Sequence, residues 1–423
     1  MKPRIAYDVS FCADFHSDQK HVTGIGRVIE NVAESLQNSP EFQLLLTGCH
    51  GRDKQAALTQ ARSQNYWRDR WAPHPPFLNS VASRTGLGPF FADLLARVNR
   101  PNLPPLWRLP SKALNAFTRL DAKPLSLTGQ IDLFHSTFRP LPEPHIFSGP
   151  TILTVHDLIP LSEPAGSYNR QMLETTLTLL DPTRSWALCI SEHTRGELCA
   201  ATSFPRDRTL IMPLAAESVF RPISDPKTRR DFLEKHQIPD APYFLSVANP
   251  QPRKNIPFLI RCFQEFARTD TEHHLLLAGS RKLGWGHDAI DQQIQQAPDV
   301  SHRIHFTGPV SDEELATAYS HCTAFLFPSL QEGFGLPPLE AMQCGAPVIC
   351  SNTTSLPEVT GDAAILLAPD DARGFVSAMR RITSDPQLRD ELKERGTLRA
   401  RNFSWQKTAD IVADSYRRAL NIS

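Results

Sequence analysis

Short apolar runs alternate with stretches of helical period along most of this chain. Arg4–Val9, Phe42–Thr47, Ile131–Ser136, Thr151–Val155, Ala187–Ile190 and Thr209–Met212 form one series of such runs. Tyr243–Ala248, His274–Ala278, Arg303–Phe306, Thr323–Phe327, Val348–Cys350 and Ala364–Leu367 form a second. Short, mostly unbroken apolar runs predict strands covered on both faces, the habit of parallel sheets. The stretches between them predict helices. In Thr23–Leu36 the apolar positions Val28, Ile29, Val32 and Leu36 fall on one helical face. Met172–Leu180 reads as helix. Ser191 is placed to cap the next one, with Glu192 favourable in its first turn, and Ser311 with Glu314 makes a capping box. A helix starts near Ile256, and helices occupy Arg373–Ala400. The amphipathic end has Ser404 as its cap and Trp405, Ala409, Ile411, Val412 and Tyr416 on its apolar side. Strand and helix in alternation predict an α/β fold, and two such series predict two doubly wound, Rossmann-like domains. These are expected at 1–220 and 221–403, with Pro213–Asp225 as the crossover, and a length of 423 residues suits two cores rather than one.

Two stretches break the pattern. Ser10–Val22 reads as a polar loop. Between about 55 and 128 no period is legible; the stretch is rich in proline, of which the chain holds 36, and carries Trp67, Trp71 and Trp107. Those rings are expected to be buried between short helices rather than to stack on sugars or touch lipid.

Charge and cysteine usage narrow the partners. Lys+Arg and Asp+Glu both number 45, so no global basic field recruits nucleic acid. The 8 cysteines are scattered without a CxxC pair, and several fall inside apolar elements. They are expected to be reduced core thiols of a cytoplasmic protein, neither a zinc site nor a disulfide framework. MKPRIAYDVS reads as a strand rather than a signal segment, and no apolar run approaches the ~20 residues of a membrane span. Any membrane contact would therefore be peripheral.

The chemistry concentrates in Ser329–Glu340, SLQEGFGLPPLE, which follows the apolar run ending at Phe327. Gly333 and Gly335 allow a sharp turn and a close backbone approach to a ligand. Pro337 and Pro338 suit the first turn of a helix. Strand, glycine loop and helix N-terminus in that order hold phosphate, because backbone amides and the helix dipole favour an anion. Glu332 and Glu340 bracket the loop. Carboxylates repel phosphate, and sugar hydroxyls, which donate to them, are the better partners. A loop taking both suits a nucleotide sugar. Arg253 and Lys254, between a strand and the helix near Ile256, can hold a pyrophosphate. His156 ends the run Thr151–Val155 and could donate to a sugar hydroxyl; His135 is a weaker candidate and more structural in character. Gly24 and Gly26, with Arg27 beside them, open the first helix. The long preceding loop and Ile29 in the third glycine position exclude a dinucleotide site.

Glu332 and Glu340, with seven residues between them around GFGLPPL, resemble the E-x7-E motif of the retaining family-4 glycosyltransferases, and SLQEGFGLPPLEAMQCGAPVICSN is similar to that pattern nearly end to end. TVHDL, SEHTR, PRKN, the FTG turn and SLPEV resemble the same family, mannosyltransferase-like members of group 1. The resemblance spans nearly all the chain except about 55–128. It implies a GT-B fold: two Rossmann-like domains facing a cleft, with the terminal helix at 404–423 crossing back to a first, acceptor domain and a second domain binding the donor. It implies transfer of a hexose, with GDP-mannose as leading donor, to a glycan or lipid-linked oligosaccharide in surface polysaccharide synthesis, with a UDP-, dTDP- or other GDP-sugar as the alternative. It implies Glu340 on ribose hydroxyls and Glu332 at the donor sugar, with His156 approaching that sugar. Arg253, Lys254 and the amides of Gly333, Phe334, Gly335 and Leu336 fall on the diphosphate, Gly308 and Val310 on the base, and Gly24 and Gly26 at the donor phosphates or acceptor. Neither metal nor cofactor is implied. A sugar-binding protein that lost turnover is the competing class.

Overall fold

The computed structural model describes residues 1–15, 24–48, 63–64, 66–67, 76–78, 81–83, 122–247, 251–280 and 287–422. Trp71 and Trp107, Cys49 and most of the proline-rich stretch lie outside the described residues. The chain divides into two compact units, Met1–Met212 with Trp405–Ser423, and Pro213–Ser404. The second begins at Pro213 rather than 221 because Phe220 packs edge-on against Tyr319 and the Glu217 carbonyl accepts from Gln343 at 2.9 Å.

The first unit is built on β1 (Arg4–Asp8), β2 (Gln43–Thr47), β5 (Leu133–Ser136), β6 (Thr151–Val155), β7 (Ser185–Cys189) and β8 (Thr209–Ile211). They form one sheet in the order β2-β1-β5-β6-β7-β8, every pairing parallel. A small antiparallel pair, β3 (Val81–Ser83) and β4 (Ala122–Pro124), stands apart. The helices are α1 (Ser10–Phe15), α2 (Gly24–Leu36), α3 (Tyr168–Thr178) and α4 (Glu192–Thr202). Val28, Ile29, Val32 and Leu36 of α2 are buried, as their period requires. The Ser191 hydroxyl accepts from the Thr194 amide at 3.1 Å and caps α4. Two expectations fail locally. Ser10–Phe15 is a short helix, not loop, begun where the Asp8 carboxylate accepts from the Ser10 amide at 2.9 Å. Helix α3 starts at Tyr168, ahead of 172, because Ser167 caps it by accepting from the Arg170 amide. Trp67 is buried, 1% exposed.

The terminal helix, Trp405–Leu420, belongs to this first unit, as the resemblance implied. A buried polar network ties it to the sheet. His135, buried on β5, meets the Tyr416 hydroxyl through Nδ1 at 2.7 Å and the Thr154 hydroxyl through Nε2 at 2.8 Å. Both ring nitrogens are thus occupied, and burial holds the imidazole neutral by lowering its pKa to about 3, with His156 adding to the effect. His135 is structural. At the surface Arg417 forks onto Glu41.

The second unit repeats the design. Strands β9 (Tyr243–Val247), β10 (His274–Ala278), β11 (Ile304–Gly308), β12 (Ala324–Phe327), β13 (Val348–Ser351) and β14 (Ala364–Leu367) run parallel in the order β11-β10-β9-β12-β13-β14. Helices α5 (Pro226–Lys235), α6 (Ile256–Phe266), α7 (His287–Gln295), α8 (Pro298–Ser301), α9 (Asp312–His321), α10 (Leu336–Gln343), α11 (Leu356–Thr360), α12 (Ala372–Ser384) and α13 (Pro386–Ala400) accompany them; the terminal helix Trp405–Leu420 is then α14. The core joins Phe258, Leu259, Phe263 and Phe266 of α6 to Leu275 and Leu277 of β10 and to Phe375 and Met379 of α12. Each such side chain contributes roughly 1.5–3 kcal/mol by leaving water. Ser311 and Glu314 close the capping box of α9. Cys262, Cys322, Cys344 and Cys350 are buried free thiols, as are Cys12 and Cys189 of the first unit. Burial pushes Cys189, Cys262, Cys344 and Cys350 up to about 12, which makes them inert.

Candidate functional site

In each sheet the strand order reverses between two central strands, and α/β folds take ligands at the carboxyl ends of the strands flanking that point. In the second unit the reversal lies between β9 and β12. Arg253 and Lys254 follow β9, and Ser329–Glu340 follows β12, so topology alone brings them together.

Side chains complete the join. Pro252–Lys254 forms one 3-10 turn ending at Asn255, whose φ is +57°, a left-handed conformation that asparagine tolerates. The Asn255 amide donates to the carbonyls of Pro328 at 3.2 Å and Pro369 at 2.9 Å. The Arg253 carbonyl accepts from the Leu330 amide at 2.8 Å and the Ser329 hydroxyl at 3.0 Å. The two loops are therefore one rigid body.

Glu332 sits at its centre, 8% exposed. Its Oε2 accepts from Arg253 Nη1 at 2.7 Å, and its Oε1 from Lys254 Nζ at 2.6 Å and from the Ser329 hydroxyl at 2.6 Å. Burial pushes the Glu332 carboxyl up, but the Lys254 and Arg253 charges and the hydrogen bonds outweigh it, and its pKa falls below the ordinary range. Burial likewise pulls Lys254 below the ordinary lysine value, opposed by Glu332. With its ammonium 2.6 Å from a carboxylate and 4.8 Å above the Phe327 ring, the pair is ionised. Arg253 and Lys254 thus share the Glu332 carboxylate, with Glu340 a second carboxylate close enough to act on Lys254.

The loop that follows supplies backbone donors. Gly335 caps α10 at φ +129°, where a Cβ would also meet Leu356 at 3.0 Å, so glycine is required. Pro337 and Pro338 carry no N–H, so the first turn of α10 offers only the Leu336 amide; the anion-holding donors belong to the loop more than to the helix. Phe334 is buried edge-on against Phe403 at 5.8 Å. Glu340, on α10 and 5% exposed, accepts from the Tyr319 hydroxyl at 3.3 Å and lies near enough to favour the Lys254 charge. Gly308 ends β11 at φ +71°, and its carbonyl accepts from the Gly279 amide at 3.1 Å. Val310 follows, part-exposed.

The remaining candidates lie in the first unit, each described there. His156 follows β6, and its Nε2 lies 2.8 Å from the Thr137 carbonyl. A carbonyl only accepts, so Nε2 carries the proton. Burial lowers the ring to about 4 against that bond, so it is neutral near pH 7. This corrects an expectation: the remaining nitrogen, Nδ1, is an acceptor in the neutral ring and has no proton to donate to a hydroxyl. Gly24 is the first residue of α2 and exposed, while Gly26 is buried against the helix's packing face. Sequence reasoning missed Ser329, Asn255, Tyr319, Thr354 and Ser355. Their side-chain contacts at the site link residues distant in sequence, or, for Ser329, form once the loop folds back. Among the described residues no group of three or more His, Cys, Asp or Glu could hold a metal ion, and no helix is long and apolar enough to cross a membrane.

Residues 228–399 match the family described as glycosyl transferases group 1. Among curated relatives, O-antigen chain mannosyltransferase B of Escherichia coli is 35% identical over 54% of this chain and 60% of its own length. Serotype-specific mannosyltransferase WbdA of Escherichia coli is 32% identical over 64% of this chain and 34% of its own. The chain thus spans less than two thirds of these relatives. Solved structures share the fold at low identity. Sucrose-phosphate synthase from Thermosynechococcus elongatus superposes with a TM-score of 0.65 at 20% identity over 100% of both chains. HepE of Anabaena, in complex with UDP and glucose, gives 0.64 at 14% identity over 98% of this chain and 99% of the other. Residues 228–399 thus carry the similarity to the group 1 glycosyltransferases, and the chain has the two-domain Rossmann-like architecture of the GT-B fold.

Proposed function

We propose that this protein is a retaining hexosyltransferase that moves mannose from GDP-mannose to a glycan or lipid-linked oligosaccharide during surface polysaccharide synthesis. The observation that carries it is the buried cluster of Arg253, Lys254 and Glu332 beside the GFG loop, at the switch point of a sheet whose family is glycosyl transfer. The mannose assignment draws on the names of the relatives, two of them mannosyltransferases of O-antigen or serotype.

In this reading the second unit holds the donor. Arg253 and Lys254 take the diphosphate with the amides of Gly333, Phe334, Gly335 and Leu336, and stabilise the charge that builds on it as the glycosidic bond breaks. The leaving group is neutralised by these cations, without a metal. Glu340 accepts from the ribose hydroxyls, and Gly308 and Val310 meet the base through backbone. Glu332 orients the two cations in the free protein and, once the diphosphate engages them, faces sugar hydroxyls. In the first, acceptor unit His156 Nδ1 accepts from a sugar hydroxyl, and Gly24 and Gly26 allow close approach at the start of α2. The protein works in the cytoplasm, with peripheral contact at the membrane face where lipid-linked acceptors reside.

The test is a panel of nucleotide sugars, read by slow donor hydrolysis and by thermal stabilisation. A ligand at a hundred times its dissociation constant raises stability by ~2.7 kcal/mol. GDP-mannose is expected to score. A UDP- or dTDP-sugar scoring instead replaces the donor and keeps the site. Silence across the panel in folded protein overturns the enzyme assignment in favour of a binding protein.

A further inference from the structure

A glycine loop that must present amides to an anion is useful only if something holds its peptide planes. Gly333 and Gly335 give the backbone freedom, and freedom alone would scatter the donors. In this protein the restraint comes from the segment after β13. The Ser355 hydroxyl, buried with no exposure, donates toward the Glu332 carbonyl at 2.9 Å and the Phe334 carbonyl at 2.5 Å. One hydroxyl proton is shared between two acceptors. Beside it, the Glu332 amide donates to the Thr354 hydroxyl at 3.1 Å, and the Thr353 hydroxyl reaches the Ser329 and Leu330 carbonyls at 3.4 and 3.3 Å.

Two features mark this as more than packing. Ser355 is the N-cap of α11, where serine ordinarily accepts from the helix's own amides, yet its side chain makes no capping bond. It is turned to the loop instead. Thr354 holds φ +53°, a left-handed conformation costly for a β-branched residue, and such strain persists where the surroundings demand it.

The consequence follows from the planar trans peptide, in which C=O and N–H point in opposite directions. Ser355 draws the Glu332 and Phe334 carbonyls to one side, which aims the N–H groups of Gly333 and Gly335 to the other. We infer that Ser355 is a positioning residue that preorganises the GFG amides for the diphosphate of the donor. The inference rests on the assignment of that loop to a nucleoside diphosphate.

The experiment compares GDP with guanosine by titration calorimetry, alongside kcat and KM for transfer. Wild-type protein must first prefer GDP to guanosine; if it does not, and UDP over uridine fails too, the donor-site assignment falls before Ser355 is tested. Given that preference, Ser355→Ala is expected to lose about tenfold in GDP affinity, the scale of one hydrogen-bonded contact, with guanosine unchanged. Turnover is expected to fall further than affinity, because the charge on the diphosphate grows in the transition state. Ser355→Cys, similar in volume and a weaker donor, should fall between, and serves in place of alanine if that variant melts. Retention of the full GDP preference and kcat in either folded variant overturns the inference. So does an equal loss for GDP and guanosine, which marks Ser355 as merely structural.

Discussion

Two six-stranded parallel sheets carry different buried polar groups at the carboxyl ends of their strands. In the first unit two buried histidines near the strand ends are neutral, and the Asp8 carboxylate ending β1 accepts from the Ser10 amide. His135 bonds Tyr416 and Thr154 through its two ring nitrogens, and His156 donates its Nε2–H to the Thr137 carbonyl. In the second unit the strand ends flanking the switch point hold two cations on the buried Glu332 carboxylate, with Glu340 close by. A neutral network costs little to bury once its hydrogen bonds are made, and it fixes a structure. Charges cost several kcal/mol each to desolvate, and a buried cluster of them is a poor way to add stability. The first unit uses its buried His135 network to anchor α14, whereas the second unit's buried charges, on the proposed function, receive an anion.

The comparison can be broken in four ways. Acid is expected to act most strongly. His135 and His156 are held neutral by burial at about 3 and about 4, against 6.5 in the unfolded chain. Both are depressed, so their stability is complete above pH 6.5. As pH falls towards 4 the unfolded chain takes up protons that the folded one refuses, a loss of about 1.4 kcal/mol per pH unit for each histidine. In the second unit His274, also lowered to about 4 by burial, is less enclosed. Its carboxylates Glu332 and Glu314, the latter lowered to about 2 against burial by Lys235, Ser311 and His236, lose their contribution only below 4.5. His305 and His321 of the second unit are lowered by burial too, so the test is read within the first unit. Hydrogen exchange of β5–β7 at pH 7 and pH 5 should show protection falling around His135 and His156, and unchanged protection breaks the account.

Lys254→Met comes next. It removes one of the two cations proposed to face the leaving group, and transfer should fall by about a hundredfold or more. A loss under threefold in steady-state assays removes Lys254 from the chemistry. Smaller again is Tyr416→Phe, which leaves His135 with a buried, unmatched ring nitrogen. It should cost about 1–3 kcal/mol in denaturant unfolding and leave GDP affinity as it was. A drop in GDP affinity would mean that the anchor also serves the site. Ser311→Ala, which opens the capping box of α9, should cost about 1 kcal/mol in the same measurement with no change in turnover.

Much of this was legible in the chain itself, for a physical reason. Buried parallel strands have to be apolar on both faces, so TILTV announces β6 residue for residue, and HLLLA and AILL announce β10 and β14. Caps are local, so Ser191 and the Ser311–Glu314 pair could be read without the fold. SFCADF could not, because six residues show no period and the helix is set by Asp8 at the strand end. At the site, glycine loop, cations and carboxylates were each legible as types. Their pairing was not: Glu332 finds Lys254 across 78 residues, and Ser355 finds the loop across 23. The direction of His156 was also hidden, since only the Thr137 carbonyl decides which nitrogen keeps the proton.

Glu332 gives the most direct measurement of the central claim, that the cluster in the second unit is an anion site guarded by its own carboxylate. Glu332→Gln removes the internal counter-ion and leaves Arg253 and Lys254 buried with surplus charge. Calorimetric titration with GDP, which carries no transferable sugar, isolates the diphosphate. The expected result is a variant less stable when free, binding GDP at least several-fold more tightly than wild type, and slower in transfer. GDP affinity unchanged or weakened in the folded variant would contradict the claim, because the two cations would then not be waiting for a diphosphate at all.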